Sequence, residues 1–342
     1  MPGPGTIKMK NYSHNKEIQD FLPSTIGYFK AEDLYRPHWN INSPNIELPR
    51  DRLFIINASD EIFDKEFVLL IDNYCTKNQL NYLITCPSII DHQVTPNVYF
   101  YPDAYYWSRR MVAYPDVLDL CSSRKYFFSC LNGTPWPHRI INYLTLLEKN
   151  YFDKFLFSMH NFTDIDAIHK NFKSARLSDD QIQQWKSLAP QWPTFVEHAS
   201  NSMKEQGALL LFGTNNDAYQ NSYINLITES HVEIDGYLSE KTWKAISNGQ
   251  LFIVLGGINT IGALRSQGVD CFDDIIDHNY YDHEKDFNTR LLKIHNLLLN
   301  LSNLDIQSIW LATKHRRQSN IDGFFNESFG KNYLKQILEK IQ

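Results

Sequence analysis

Two stretches of this 342-residue sequence carry side chains whose types and order suit a phosphorylated ligand. The longer contains Tyr237-Leu238-Ser239-Glu240-Lys241-Thr242-Trp243-Lys244. Ser239 is a residue type that caps a helix from its side-chain oxygen, and Gly249 is a type that ends one. Glu240 and Lys241 then fall in the first helical turn. There, free backbone amides and an ammonium group can meet a diphosphate, while a carboxylate accepts from ribose or sugar hydroxyls. This division of labour does not require Glu240 and Lys241 to pair with each other. The competing account is a solvated helix in which Glu240 and Lys244, four residues apart, form an ordinary pair. Tyr237 can pack on a nucleobase or ribose, or anchor a loop in the core. Glu229, placed directly after an apolar run, suits a polar site, a helix cap or a charge pair.

The shorter stretch is Cys130-Leu131-Asn132-Gly133-Thr134-Pro135-Trp136-Pro137-His138-Arg139. A guanidinium forms a planar fork that matches phosphate oxygens, so Arg139 is a better anion ligand than His138; it can equally pair with a carboxylate. Asp164-Ile165-Asp166 offers two carboxylates to a divalent cation, but Asp164 also suits a helix cap, and no metal is assigned. Gly256-Gly257 allows a close turn and falls short of a dinucleotide fingerprint. The sequence also lacks H-E-x-x-H, G-x-S-x-G and a triphosphate-binding P-loop, which argues against a metalloprotease, a serine hydrolase and a P-loop enzyme.

The segment Thr228 to Ile246, followed by Leu251 to Gly257, resembles the fucosyltransferase-like glycosyltransferases: an acidic strand end and a Tyr-x-x-Glu-Lys helix precede a short apolar strand and glycine. Cys130 to Arg139 resembles the first loop and helix of the same family's donor lobe. The resemblance fades over the N-terminal third. It implies a GT-B-like α/β fold of two Rossmann-like lobes with an interlobe cleft, an acceptor-side lobe over residues 1–122 and a donor-binding lobe over 123–342. It further implies donor contacts from Arg139, Glu229, Tyr237, Glu240 and Lys241, inverting transfer to a glycan or protein hydroxyl, and a base on the N-terminal lobe. Glu61, beyond an apolar strand candidate, is the residue chosen for that base, and its neighbour Asp60 is set aside. GDP-fucose is a plausible donor on this footing, with no obligatory cofactor. A nucleotide- or carbohydrate-binding protein without transfer activity is the alternative.

The elements that must position these groups are partly visible in the apolar pattern. Strands are expected at Arg52–Asn57, Glu66–Ile71, Tyr82–Thr85, Tyr126–Leu131, Phe155–Ser158, Leu209–Phe212, Tyr223–Thr228 and Leu251–Leu255, and helices at about 138–148, 178–188, 239–248, 260–266, 288–301 and 333–341. The first fifty residues, rich in Pro and Asn, suggest an irregular packed segment. Tyr99 to Trp107 is dense in aromatics, suited to the core or to a sugar platform, and Asp103 within it is not assigned as a base.

A hydrophobic content of 43% argues for a folded core, and a net charge of -6 without a long run of one sign argues against a nucleic-acid partner. Lys314-His315-Arg316-Arg317 is expected to be a solvated helix face. No apolar run reaches membrane-spanning length, and five cysteines without a paired spacing suit reduced thiols in the cytoplasm.

Overall fold

The computed structural model describes residues 27–30, 53–57, 65–86, 97–100, 119–132, 134–149, 154–159, 175–188, 217–326, 328–329 and 339. Asp60, Glu61, Asp103, Asp164 and Asp166, together with the strand expected at 209–212 and the helix expected at 333–341, lie outside the described residues. The chain divides into two compact units, one of residues 1–86 with 90–101, the other of residues 87–89 with 102–342. Each carries its own four-stranded parallel sheet.

The first unit holds β1 (Gly27–Lys30), β2 (Leu53–Asn57), α1 (Lys65–Lys77), β3 (Asn81–Cys86) and β4 (Val98–Phe100), with the strands side by side in chain order. Two expectations are corrected here. Gly27–Lys30 lies in the stretch expected to be irregular, yet pairs in parallel with β2 through its backbone. Glu66–Ile71 is helical, not extended. Its apolar residues continue past Ile71 at helical spacing, so that Val68, Ile71 and Cys75 are buried on one face while Asn73, Thr76 and Lys77 face outward or to the edge. The five-residue apolar run Phe67–Ile71 does not distinguish a strand from the buried face of a helix. The Tyr82 hydroxyl donates to Asp72 Oδ1 at 2.8 Å and bonds the Thr76 hydroxyl at 2.7 Å, tying β3 to α1.

The second unit begins with β5 (Tyr126–Leu131), α2 (Pro137–Glu148), β6 (Phe155–Ser158), α3 (Asp179–Leu188), α4 (Asp217–Asn221) and β7 (Ser222–Thr228). It continues through α5 (Glu240–Ser247), β8 (Leu251–Leu255), α6 (Thr260–Ser266), α7 (Asn279–Asp282), α8 (Phe287–Ser302), α9 (Ile306–Ala312) and α10 (Lys314–Phe325). Every residue of β6, β7 and β8 is buried, the pattern of parallel strands covered on both faces. Local signals set the helix ends. Pro137 opens α2, Ser178 and Gln181 exchange side-chain bonds with each other's amides ahead of α3, and Asp286 and Asp305 cap α8 and α9.

The strand order β6-β5-β7-β8 places β5 between β6 and β7, so the direction of winding reverses at β5. In open α/β sheets such a reversal leaves a crevice beyond the carboxyl ends of the two diverging strands. Here those ends are Leu131-Asn132 and Thr228-Glu229, bridged by the Thr228 hydroxyl donating to Asn132 Oδ1.

Of the basic run on α10, Lys314 and His315 are exposed, as expected of a solvated face, but Arg316 and Arg317 are not. Arg316 forks onto Asp270 and also binds Asp274. Arg317 is fully buried and lies over the Trp310 ring at 3.3 Å, donating to the carbonyls of Gly249, Leu120 and Trp310. Leu120 precedes β5 and is thereby tied to α10. Cys75, Cys121, Cys130 and Cys271 are free thiols. Among the described residues no helix is long and apolar enough to cross a membrane.

Buried histidines make the second unit acid-sensitive, His278 and His295 among them. His278 donates from Nε2 to the Cys271 carbonyl at 2.9 Å and accepts from the Tyr281 hydroxyl at 2.7 Å; burial depresses its pKa to about 4. His295 donates from Nε2 to Asn142 Oδ1 at 2.8 Å, and burial depresses it to about 3. Both are neutral when folded but protonate near pH 6.5 when unfolded. Their contribution is therefore complete above pH 6.5 and is lost as pH falls toward 4, at about 1.4 kcal/mol per pH unit for each. Urea unfolding between pH 7 and 5 should show this loss, and His278→Gln should reduce the slope by about one such increment.

Candidate functional site

The crevice at the carboxyl ends of β5 and β7 is completed by the amino end of α5, which packs against β7 and β8. The helix is placed by its apolar face: Trp243 is fully buried and faces Phe324 and Phe329, with ring centroids 6.4 and 6.3 Å away. Ser239 is its N-cap, the side chain accepting from the Lys241 amide at 3.3 Å. At its far end Gly249, with φ of 61°, sends its amide to the Ile246 carbonyl while Gln250 bonds Ala245, the paired bonds of a Schellman turn. Both ends are as their residue types lead one to expect.

Glu229 is wholly buried, at 0% exposure. Its Oε1 accepts from the Ser239 amide at 3.0 Å and from the Thr242 hydroxyl at 2.5 Å. Its amide donates to Leu255, and its carbonyl accepts from His138 Nε2 at 2.9 Å. Oε2 is buried with no hydrogen-bond partner among the described residues. Burial raises the carboxyl above its ordinary value, opposed by the Lys241 charge and by the bonds from Ser239 and Thr242.

Arg139, on the first turn of α2, is 2% exposed. Its guanidinium donates to the Thr134 carbonyl at 2.9 Å and the Thr228 carbonyl at 3.2 Å, fastening the loop after β5 to the end of β7. Nε is buried without a partner among the described residues. Burial lowers Arg139 to about 10, against the raising influence of Glu229 and Glu240, so it remains a cation at neutral pH. His138 is buried, and burial, with the Arg139 charge, holds it well below its ordinary value.

Lys241 and Glu240 are partly open, with side chains 20% and 30% exposed, and Lys244 is half-buried. They do pair: Lys241 Nζ donates to Glu240 Oε1 at 2.7 Å and to the Ser230 hydroxyl at 3.1 Å. The sequence pattern does not require this pair, and the folded chain forms it. Burial raises Glu240, but the neighbouring Lys241 and Lys244 bring it below its ordinary value. Lys244 is lowered to about 8 by burial, with Glu240 opposing. Tyr237 is buried and its ring stands edge-on to His231, centroids 5.1 Å apart.

Several contributors escaped the sequence reading. Ser230 binds the lysine and Thr242 the buried carboxylate, and neither has a distinctive spacing. Arg290, on α8, donates to the Val232 carbonyl at 3.3 Å and to Glu284, holding the loop between β7 and α5 from behind. The Gly236 amide bonds the Ile258 carbonyl at 2.8 Å. Gly257 lets the β8 turn approach that loop so closely that a Cβ there would collide with the Ile234 carbonyl. Among the described residues no cluster of His, Cys, Asp and Glu has the form of a metal site.

The group therefore holds three cations, Arg139, Lys241 and Lys244, about two carboxylates, with the helix-end amides beside the partly open Glu240 and Lys241. Such a site can take an anion through Lys241 and the first turn of α5. Comparisons of the chain with protein families, curated proteins and solved structures return no match.

Gly257→Ala tests the loop's preorganisation. Alanine would reduce unfolded-state freedom, a gain below about 1 kcal/mol, but crowding against backbone costs about 1–3 kcal/mol, and the second effect wins. Thermal unfolding should show a net loss, with increased amide exchange over residues 230–238. An equal or higher midpoint would show that the loop yields freely.

Proposed function

We propose that the protein is a nucleotide-sugar-dependent glycosyltransferase whose donor diphosphate binds at the amino end of α5, within the β5/β7 crevice. The observation that carries this reading is the position of Lys241. It stands on the first turn of a capped helix, partly open, at a winding reversal where open α/β sheets bind ligands. The resemblance of Cys130–Arg139 and Thr228–Gly257 to fucosyltransferase-like enzymes supports a nucleotide sugar over other phosphorylated ligands. GDP-fucose is the donor it favours.

In this reaction an acceptor hydroxyl oxygen bonds to the anomeric carbon as the bond to the diphosphate breaks. The diphosphate leaves with the electron pair, and the acceptor proton passes to a base. Lys241 and the α5 amides stabilise the charge that develops on the leaving group, and Arg139 adds positive potential from behind while fixing the loop. Glu240 is released from Lys241 to accept from donor hydroxyls, and Tyr237 backs the loop on which the nucleoside lies. Inversion at the anomeric carbon, Glu61 as the base, a two-lobed GT-B-like arrangement and a cytoplasmic setting belong to the same proposal; the free thiols support the last. No divalent metal is required, because protein cations carry the leaving-group charge.

The test is a panel of labelled nucleotide sugars with glycan and protein acceptors, following product mass and released nucleotide together. The proposal expects saturable transfer that survives chelation, and at least a tenfold loss of donor affinity in Lys241→Ala, matching a charge-assisted bond of about 1.5–3 kcal/mol. Donor binding without transfer to any acceptor would instead make this a binding protein. Activity abolished by chelation and restored by magnesium or manganese would overturn the metal-independent mechanism.

A further inference from the structure

The wholly buried Glu229 has no access to solvent, yet it is bonded to both sides of the pair that faces the ligand. Its Oε1 accepts from Ser239, just before Glu240 and Lys241, and from Thr242, just after them. Its backbone is fixed independently, by Leu255 on one side and His138 on the other. A carboxylate held on a rigid strand end thus grips the first turn of a helix whose own cap, Ser239, contributes only a 3.3 Å bond.

We infer that Glu229 is a positioning residue: it clamps the first turn of α5 so that Lys241 and the helix-end amides are preset for a diphosphate, and it does not touch that ligand. This rests on the proposed donor site and gives Glu229 a part in it different from direct contact. The clamp needs an oxygen acceptor at Oε1, and a glutamine supplies one. Removing the acceptor frees the turn, so the ligand must order it on binding and affinity falls.

The experiment compares wild type, Glu229→Gln, Glu229→Ala and Thr242→Val. It measures amide hydrogen exchange over residues 239–243 without ligand, and affinity for GDP and for inorganic pyrophosphate by calorimetry. Glu229→Ala should speed exchange in that segment at least tenfold, with smaller change at β8, and weaken both probes about tenfold. Glu229→Gln should restore exchange and affinity to within about threefold of wild type. Thr242→Val, which deletes one of the two bonds and leaves the carboxylate in place, should fall between them and serves if Glu229→Ala does not fold.

Two outcomes overturn the clamp: unchanged exchange over 239–243 in both Glu229→Ala and Thr242→Val, or a folded Glu229→Gln that loses as much affinity as Glu229→Ala, which would mean the charge itself meets the ligand. If wild type binds neither probe while the exchange pattern holds, the clamp stands and the donor reading falls.

Discussion

The reversal of winding at β5 is the constraint on which the site depends. With β6 on one side and β7 on the other, the chain leaves the carboxyl ends of β5 and β7 in opposite directions along the sheet. Right-handed crossovers running in opposite directions put their helices on opposite faces, so neither covers the gap. Polar groups stranded at those ends must be satisfied by one another or by a ligand. Arg139 takes the carbonyls of Thr134 and Thr228, Thr228 takes Asn132, and Glu229 takes the start of α5.

This gives the charged residues separate tasks. Arg139 and Glu229 are buried and spend their hydrogen bonds inside the protein, holding a loop and a helix end in register with the sheet. Glu240 and Lys241, on the held turn, remain partly open. Arg139 Nε and Glu229 Oε2 are buried within this group without a hydrogen-bond partner among the described residues. An unpaired buried polar atom costs stability, and the neighbouring opposite charges offset part of that cost. The guanidinium adds positive potential behind Lys241 and the buried carboxylate opposes it, so the part of Glu229 lies in its bonds to the start of α5.

Much of the second unit was legible because its patterns are local. Leu251–Leu255 is an apolar strand bounded by Gly249 and Gly256, and Ser239 and Gly249 mark the ends of α5 by residue type alone. Glu66–Ile71 misled because Phe67–Ile71 is apolar enough for a buried strand; the helical period emerges only when Cys75 is included. Arg316 and Arg317 misled for a different reason. Their partners, Asp270, Asp274, Leu120 and Gly249, are remote in sequence, and no spacing on α10 announces a buried guanidinium. The same limit hid Arg290 and the close approach of Gly257 to Ile234. Local chemistry marked Lys241 and Glu240 as candidates, while the Glu229 bonds that hold them depend on the tertiary fold.

The most direct test of the central claim is a backbone amide titration by NMR with GDP, following the resonances of Ser239, Lys241, Thr242 and Asn132. The account predicts saturable shifts concentrated at these four positions, with one common dissociation constant. Saturable shifts confined to other parts of the chain, with these amides unmoved, would contradict it.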